Sequence, residues 1–287
     1  MATFEEKFEK YAELAVKNGV NVQKGQTLVI TAPISSADFV RNVTEKAYKA
    51  GAKHVYVEWG DESLVLTKFK LAPDEAFKEF PEWKAKGKED WAENGAAFLY
   101  IDSPNPDLLK DVDPDRIATA NKTASQALKT FGEYQMADKV SWSILSTPTK
   151  EWANKVFPEL DDEQAVAKLW DQIFTMTRAD LEDPVRAWEE HKKTLTEKAA
   201  RLNAKSYKKL HYTGPGTDLT IELPEGHLWV GAASKNDQGD EFIPNIPTEE
   251  VFTLPLKTGV NGKVTSTMPL NYSGTLIENL TLTFENG

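Results

Sequence analysis

Two spacings of apolar residues alternate along the first two thirds of the chain. Residues 3–18 carry Phe4, Phe8, Tyr11, Ala12 and Ala15 on one helical stripe, and Gly19 ends it, so the spacing predicts an amphipathic helix. Thr27–Thr31 is a short unbroken apolar run of strand length. Ser35 and Ser36 are N-cap candidates for a helix over about 37–50, stopped at Gly51. His54–Trp59 is a second strand-like run, helical segments fill roughly 63–94, and Ala96–Ile101 is a third strand. Asp113-Pro114 opens a helix to about Ala137, with the acid as cap and the proline at the first helical position. Val140–Leu145 reads as a fourth strand, and Thr147-Pro148 opens the next helix in the same way. Residues 161–205 form two helices, started by Asp161 with Gln164 and by Asp183-Pro184.

Strands alternating with helices predict an α/β fold, a mostly parallel sheet flanked by helices on both faces. The strands end in TAPISS, WGDES, DSPNP and STPTK, which such a sheet gathers at one edge, the usual ligand crevice. Neither G-x-G-x-x-G nor G-x-x-x-x-G-K-[ST] is present, so dinucleotide and P-loop binding are disfavoured, and the Ser, Thr, Asp and Pro at that edge read first as helix caps. From Ser206 the pattern changes. Thr, Val, Leu and Ile alternate with polar residues between Gly/Pro/Asn turns at His211–Gly216, Pro224–Gly226 and Asn261–Gly262. The predicted division is therefore an α/β domain over 1–205 and a smaller β-rich region over 206–287.

Composition adds bounds. With 287 residues, 40% hydrophobic content, eight Trp and thirteen Phe, the chain can build a full core without staples. The absence of cysteine removes disulfides and thiolate metal sites and fits a reducing interior. The first residues form no secretory signal, and no apolar run approaches the roughly 18 residues of a membrane span, so a soluble, cytoplasmic protein without a membrane partner is expected. A net charge of −11 argues against nucleic acid as a partner. After Arg201 there is no Arg, and residues 206–287 hold five Lys against ten Asp/Glu, an environment suited to metal cations or an amino-terminal ammonium group.

Candidate chemistry concentrates in Asn245–Thr253 (NIPTEEVFT). If Val251-Phe252-Thr253 is extended, Glu249 and Glu250 point to opposite faces, so only one can enter a given cavity as a metal ligand. Of the four histidines, His54 opens a strand and His191 lies on a charged helix, where exposure is expected. His211 and His227 fall in the β-rich region as possible site neighbours. No H-E-x-x-H and no G-x-S-x-G occurs. Gly214-Pro215-Gly216-Thr217-Asp218 reads as a tight turn, with a role lining the cavity beside Glu250 as the functional alternative.

HYTGPGTDLTIEL (211–223), GHLWVG (226–231), the stretch from FIPNIPTEEVFT to LTFE (242–285) and the N-terminal AELAVKNGVNVQKGQTLVITAPISSADFVRNVTEKAYKAGA resemble the aminopeptidase T/aminopeptidase S family of metallo-aminopeptidases. The resemblance spans essentially the whole chain. It implies removal of N-terminal residues from peptide substrates, a homodimer, and a cofactor of two divalent metal ions such as zinc or cobalt. Those ions would share a bridging water, polarise the scissile carbonyl and stabilise the oxyanion. One ligand matches the second Glu of PTEEVFT, Glu250, with Glu249 as the alternative if the register differs by one. The family's other ligands lie beyond the point where this chain stops, so residues 206–287 would be the start of the catalytic domain in a truncated chain. Asn286-Gly287, a hairpin signal after the apolar run Leu280–Phe284, agrees with that expectation. A non-catalytic binding or assembly module derived from the family is the alternative.

Overall fold

The computed structural model describes residues 2–272 and 275–287. In chain order the elements are α1 (Phe4–Leu14), β1 (Thr27–Pro33), α2 (Ala37–Ala50), β2 (His54–Gly60), α3 (Glu62–Leu71), α4 (Glu82–Glu93), β3 (Ala97–Asp102), α5 (Pro114–Ala127), α6 (Lys129–Met136), β4 (Trp142–Ser146), α7 (Lys150–Val156), α8 (Asp162–Met176) and α9 (Pro184–Lys205). There follow β5 (Lys209–Gly214), β6 (Thr217–Glu222), β7 (Val230–Gly231), β8 (Ser234–Lys235), β9 (Glu241–Phe242), β10 (Val251–Phe252), β11 (Val260–Thr265), β12 (Leu270–Tyr272), β13 (Thr275–Ile277) and β14 (Thr281–Phe284). The chain divides into two compact units, residues 1–188 with 233–248, and residues 189–232 with 249–287.

In the first unit the strands form one parallel sheet in the order β2-β1-β3-β4, the α/β arrangement the alternating pattern predicts. The two central strands are covered on both faces, and accordingly Leu28, Val29 and Ile30 of β1 and Ala97, Phe98 and Leu99 of β3 are all buried. Helix α1 starts at a reciprocal cap in which Thr3 Oγ1 accepts from Glu6 N and Glu6 Oε2 accepts from Thr3 N. Its Tyr11, Ala12 and Leu14 join Phe39, Phe174 and Trp188 in the main core. Burial of each large apolar side chain among them, such as Leu14, Phe39 and Phe174, contributes about 1.5–3 kcal/mol. Residues 233–248 count with this unit because they close the free edge of β4. Ile144 N donates to Pro244 O (2.8 Å), Ile246 N to Ile144 O (3.0 Å), and Ser143 Oγ to Ile243 O (2.8 Å).

Several local expectations are corrected. Ser36 makes no capping bond to α2. Its hydroxyl meets Thr147 Oγ1 at 2.7 Å, and Ser103 Oγ donates to Thr147 O at 2.6 Å, so the buried hydroxyls at the carboxyl edge of the sheet satisfy one another. With Thr147 used in this way, α7 starts two residues later, capped by Thr149 Oγ1, which accepts from Trp152 N at 3.1 Å. The helix expected over 114–137 is two helices, interrupted at Leu128.

The second unit carries an antiparallel sheet in the order β14-β11-β6-β5, with β10 paired to β7 and β12 to β13. Gly216 (φ +74°) turns β5 into β6, as the GPG spelling predicts. Asn261-Gly262, expected as a turn, instead lies inside β11. Gly262 sits at φ +116°, where a Cβ would fall 2.2 Å from the Asp218 carbonyl oxygen, so the glycine answers a close strand approach.

Candidate functional site

The PTEEVFT strand is short and is held by the GHLWVG segment. Val251 pairs with Gly231 and Phe252 with Val230, antiparallel, and Thr253 Oγ1 donates to Leu228 O at 2.7 Å. Asn203 of α9 fixes the backing segment, its Oδ1 accepting from Trp229 N (2.7 Å) and its Nδ2 donating to Trp229 O (2.9 Å). A Cβ at position 231 would come 2.7 Å from the Glu250 carbonyl oxygen and 2.9 Å from Val251 Cγ1. Only glycine leaves the two strands this close. Two segments some twenty residues apart in sequence thus form one ribbon, and Glu250 stands at its end.

The two adjacent glutamates have different surroundings. Glu249 Oε2 lies 3.3 Å from His191 Nε2. Glu250 is exposed, and no ion pair involves its carboxylate among the described residues. His191 is not the exposed residue expected from its charged helix, for its side chain is only 13% exposed. The signal was present in the sequence, because Trp188, His191 and Leu195 follow at i, i+3 and i+7, the spacing of an inward stripe, and both flanking residues are buried.

The remaining candidates have other partners, and His227 lies within the GHLWVG segment itself. His211 Nε2 meets Asp218 Oδ1 at 2.8 Å across the β5–β6 hairpin, with both side chains well exposed. His227 Nδ1 lies 2.9 Å from Pro224 O, in the wall of a 720 Å³ cleft shared with Lys208, Lys209, Glu222 and Glu225. The Gly214–Asp218 turn is tied to β11 through Thr265, whose Oγ1 donates to Gly216 O at 3.0 Å. Among the described residues no group of three or more His, Asp or Glu side chains is placed to hold a metal ion. One exposed carboxylate with a neighbour engaged by histidine is chemically able to serve as a single ligand, but the residues present do not fit a metal centre by themselves.

The sequence profile of the thermophilic metalloprotease (M29) family matches residues 4–287. The chain belongs to the M29 metalloprotease family. Relatives of this M29 chain are aminopeptidases, hydrolases by activity. It is 55% identical to aminopeptidase 2 of Geobacillus stearothermophilus and 52% identical to aminopeptidase AmpS of Bacillus subtilis, in each case over all of this chain and 70% of the relative. Wild-type AmpT from Thermus thermophilus has the same fold, with a TM-score of 0.92 at 41% identity over 99% of this chain and 70% of that one. Among the described residues, no helix of this M29 protein is long and apolar enough to cross a membrane.

Proposed function

We propose that this chain supplies the α/β domain (1–205) and the β-rich start of the catalytic domain (206–287) of a dinuclear metal-dependent aminopeptidase. It would act on peptides in the cytoplasm as a homodimer, with Glu250 as one metal ligand. The observation that carries this reading is identity of 41–55% to named aminopeptidases along the whole chain. Glu250 is favoured over Glu249 because, although both are exposed, Glu249 is engaged by His191, whereas Glu250 directly precedes a strand whose close pairing requires Gly231.

Catalytic metal sites take about three protein ligands per ion, so one carboxylate does not retain a metal pair. The polypeptide alone is expected to bind zinc or cobalt weakly or not at all and to release no aminoacyl chromophore. Calorimetric titration and a chromogenic assay check both, and robust turnover would overturn this account of the donor set. The ligand itself is tested in a fusion to the part of the Geobacillus relative that the chain does not match. There Glu250→Gln should lower bound metal while Glu249→Gln retains it, and the reverse result would move the ligand by one residue.

A second reading, a non-catalytic assembly module, draws on the open apolar side chains of the second unit, among them Tyr212, Leu254, Met268 and Tyr272. Light scattering separates the two, since a stable, soluble dimer of the 32.1 kDa chain that neither binds metal nor cleaves peptides favours the module.

A further inference from the structure

On the face of the first unit's sheet opposite the main core, α5 and α6 leave a cleft of 670 Å³ against β3 and β4. Its walls are Leu128, Phe131, Met136, Trp142 and Ile144. Phe131 is buried edge-on against Phe98 (4.9 Å between centroids), whereas Met136 and Ile144 stay open to solvent. A concave, largely apolar surface with a few convergent polar groups is the common form of a small-molecule site.

The charged groups of the lining have one sign. In a chain of net charge −11, the lining holds Lys88 and Lys129 and no carboxylate. Lys88 is spent on Glu58 at 2.6 Å, but Lys129 is highly exposed and reaches Glu133 only at 3.9 Å. Further in stands Tyr100, whose hydroxyl oxygen accepts from Gln135 Nε2 at 2.8 Å, so its own hydrogen has no acceptor among the described residues. Burial, with a smaller push from the Glu58 carboxylate, raises the Tyr100 hydroxyl to about 12, so it is, like any tyrosine at neutral pH, a donor. An ammonium ligand would find no counter-ion in this cleft, and a small inorganic anion would leave the aromatic walls unused.

We propose that this cleft binds a small apolar or aromatic molecule carrying a carboxylate, with its body against Phe131, Trp142 and Ile144 and its oxygens met by the Tyr100 hydroxyl and the Lys129 ammonium. The ligand chemistry is independent of the metal centre and of the peptidase reading. Its source is either a free apolar acid or the carboxyl-terminal residue of a peptide with an apolar side chain.

The test uses 2-naphthoate as probe, titrated into the chain by calorimetry and by saturation-transfer NMR, beside 2-naphthamide and 2-naphthylmethylamine. One saturable site for the acid is expected, with affinity lower by about tenfold for the amide and no measurable binding of the amine. Tyr100→Phe, which keeps the ring, should weaken the acid about fivefold. Gly132→Leu should abolish binding without harming the fold, because a Cβ at Gly132 meets nothing within 4 Å and leaving glycine in a helix interior is favourable. N-acetyl-phenylalanyl-phenylalanine binding more tightly than naphthoate would assign the peptide terminus as source, and the reverse the free acid. Absence of naphthoate binding, equal affinity for the amine, or unchanged binding by Gly132→Leu would each overturn the proposal.

Discussion

The two four-stranded sheets of this molecule solve the same backbone problem with opposite side-chain outcomes. In the parallel sheet of the first unit the central strands bury nearly every apolar side chain, and two clusters fill its two faces. In the antiparallel sheet of the second unit the backbone ladder is as regular, yet Leu219 is the one apolar side chain of its described strands that is buried, while Tyr212 and Leu282 are about half exposed. A sheet becomes a stable layer only when another layer covers its apolar face, so pairing and packing are separate achievements. The first unit has both. The second relies on strand pairing and on glycines at positions where a side chain would not fit.

The widest difference should appear on truncating equivalent side chains. Leu99→Ala, in the centre of β3, removes a fully buried side chain and should cost about 3–5 kcal/mol. Leu282→Ala, on β14, should cost less than about 0.5 kcal/mol. Urea unfolding of both variants measures the contrast. A penalty at Leu282 approaching that at Leu99 would mean that the second sheet is covered in solution, by a second copy or another partner.

What could be read in advance follows the same line. The buried strands of the first unit announce themselves as unbroken runs, Leu28-Val29-Ile30 and Ala97-Phe98-Leu99, because burial on both faces removes the need for alternation. Caps that act locally are also legible. Asp113, Asp161 and Asp183 each accept from a backbone N–H two or three residues on. The misreadings occur where a distant partner decides. Thr147 looks like a cap, but its hydroxyl is taken by Ser36 and Ser103 from other strand ends. Asn261-Gly262 looks like a turn, but Asp218 on the neighbouring strand requires the glycine. At the candidate site the adjacent acids and the extended run after them were visible, but both acids lie just before β10 and both are exposed, so strand alternation does not distinguish them. The pairing with Val230-Gly231 and the engagement of Glu249 by His191 were not visible, since both depend on contacts across many residues of chain.

A sharper probe of the second unit is Gly262→Ala. The positive φ and the 2.2 Å approach of the new Cβ to the Asp218 carbonyl oxygen force β6 and β11 apart, with an expected cost above about 1 kcal/mol. Amide hydrogen exchange should then accelerate along β6, β11 and β14 and remain unchanged along β1 and β3. Acceleration in the parallel sheet as well would show that the two sheets unfold as one cooperative unit.

The smallest effect separates a partly buried ion pair from an exposed one. Burial raises the Glu58 carboxyl, but its bond to Lys88 and the charges of Lys88 and Lys84 outweigh burial and hold it below the usual carboxylate range. A carboxyl whose folded-state pKa is depressed contributes stability that is present above its unfolded value and lost as the pH falls through the folded one. Glu58→Gln should therefore cost about 0.5–1 kcal/mol at neutral pH, with the deficit against the parent closing as both are acidified. Asp218→Asn, which breaks the open pair with His211, should change stability by about 0.5 kcal/mol at most. Urea midpoints from pH 7 down to pH 3 decide the matter, since a Glu58→Gln deficit that persists at acid pH would assign the loss to altered packing under Lys88 instead of to charge.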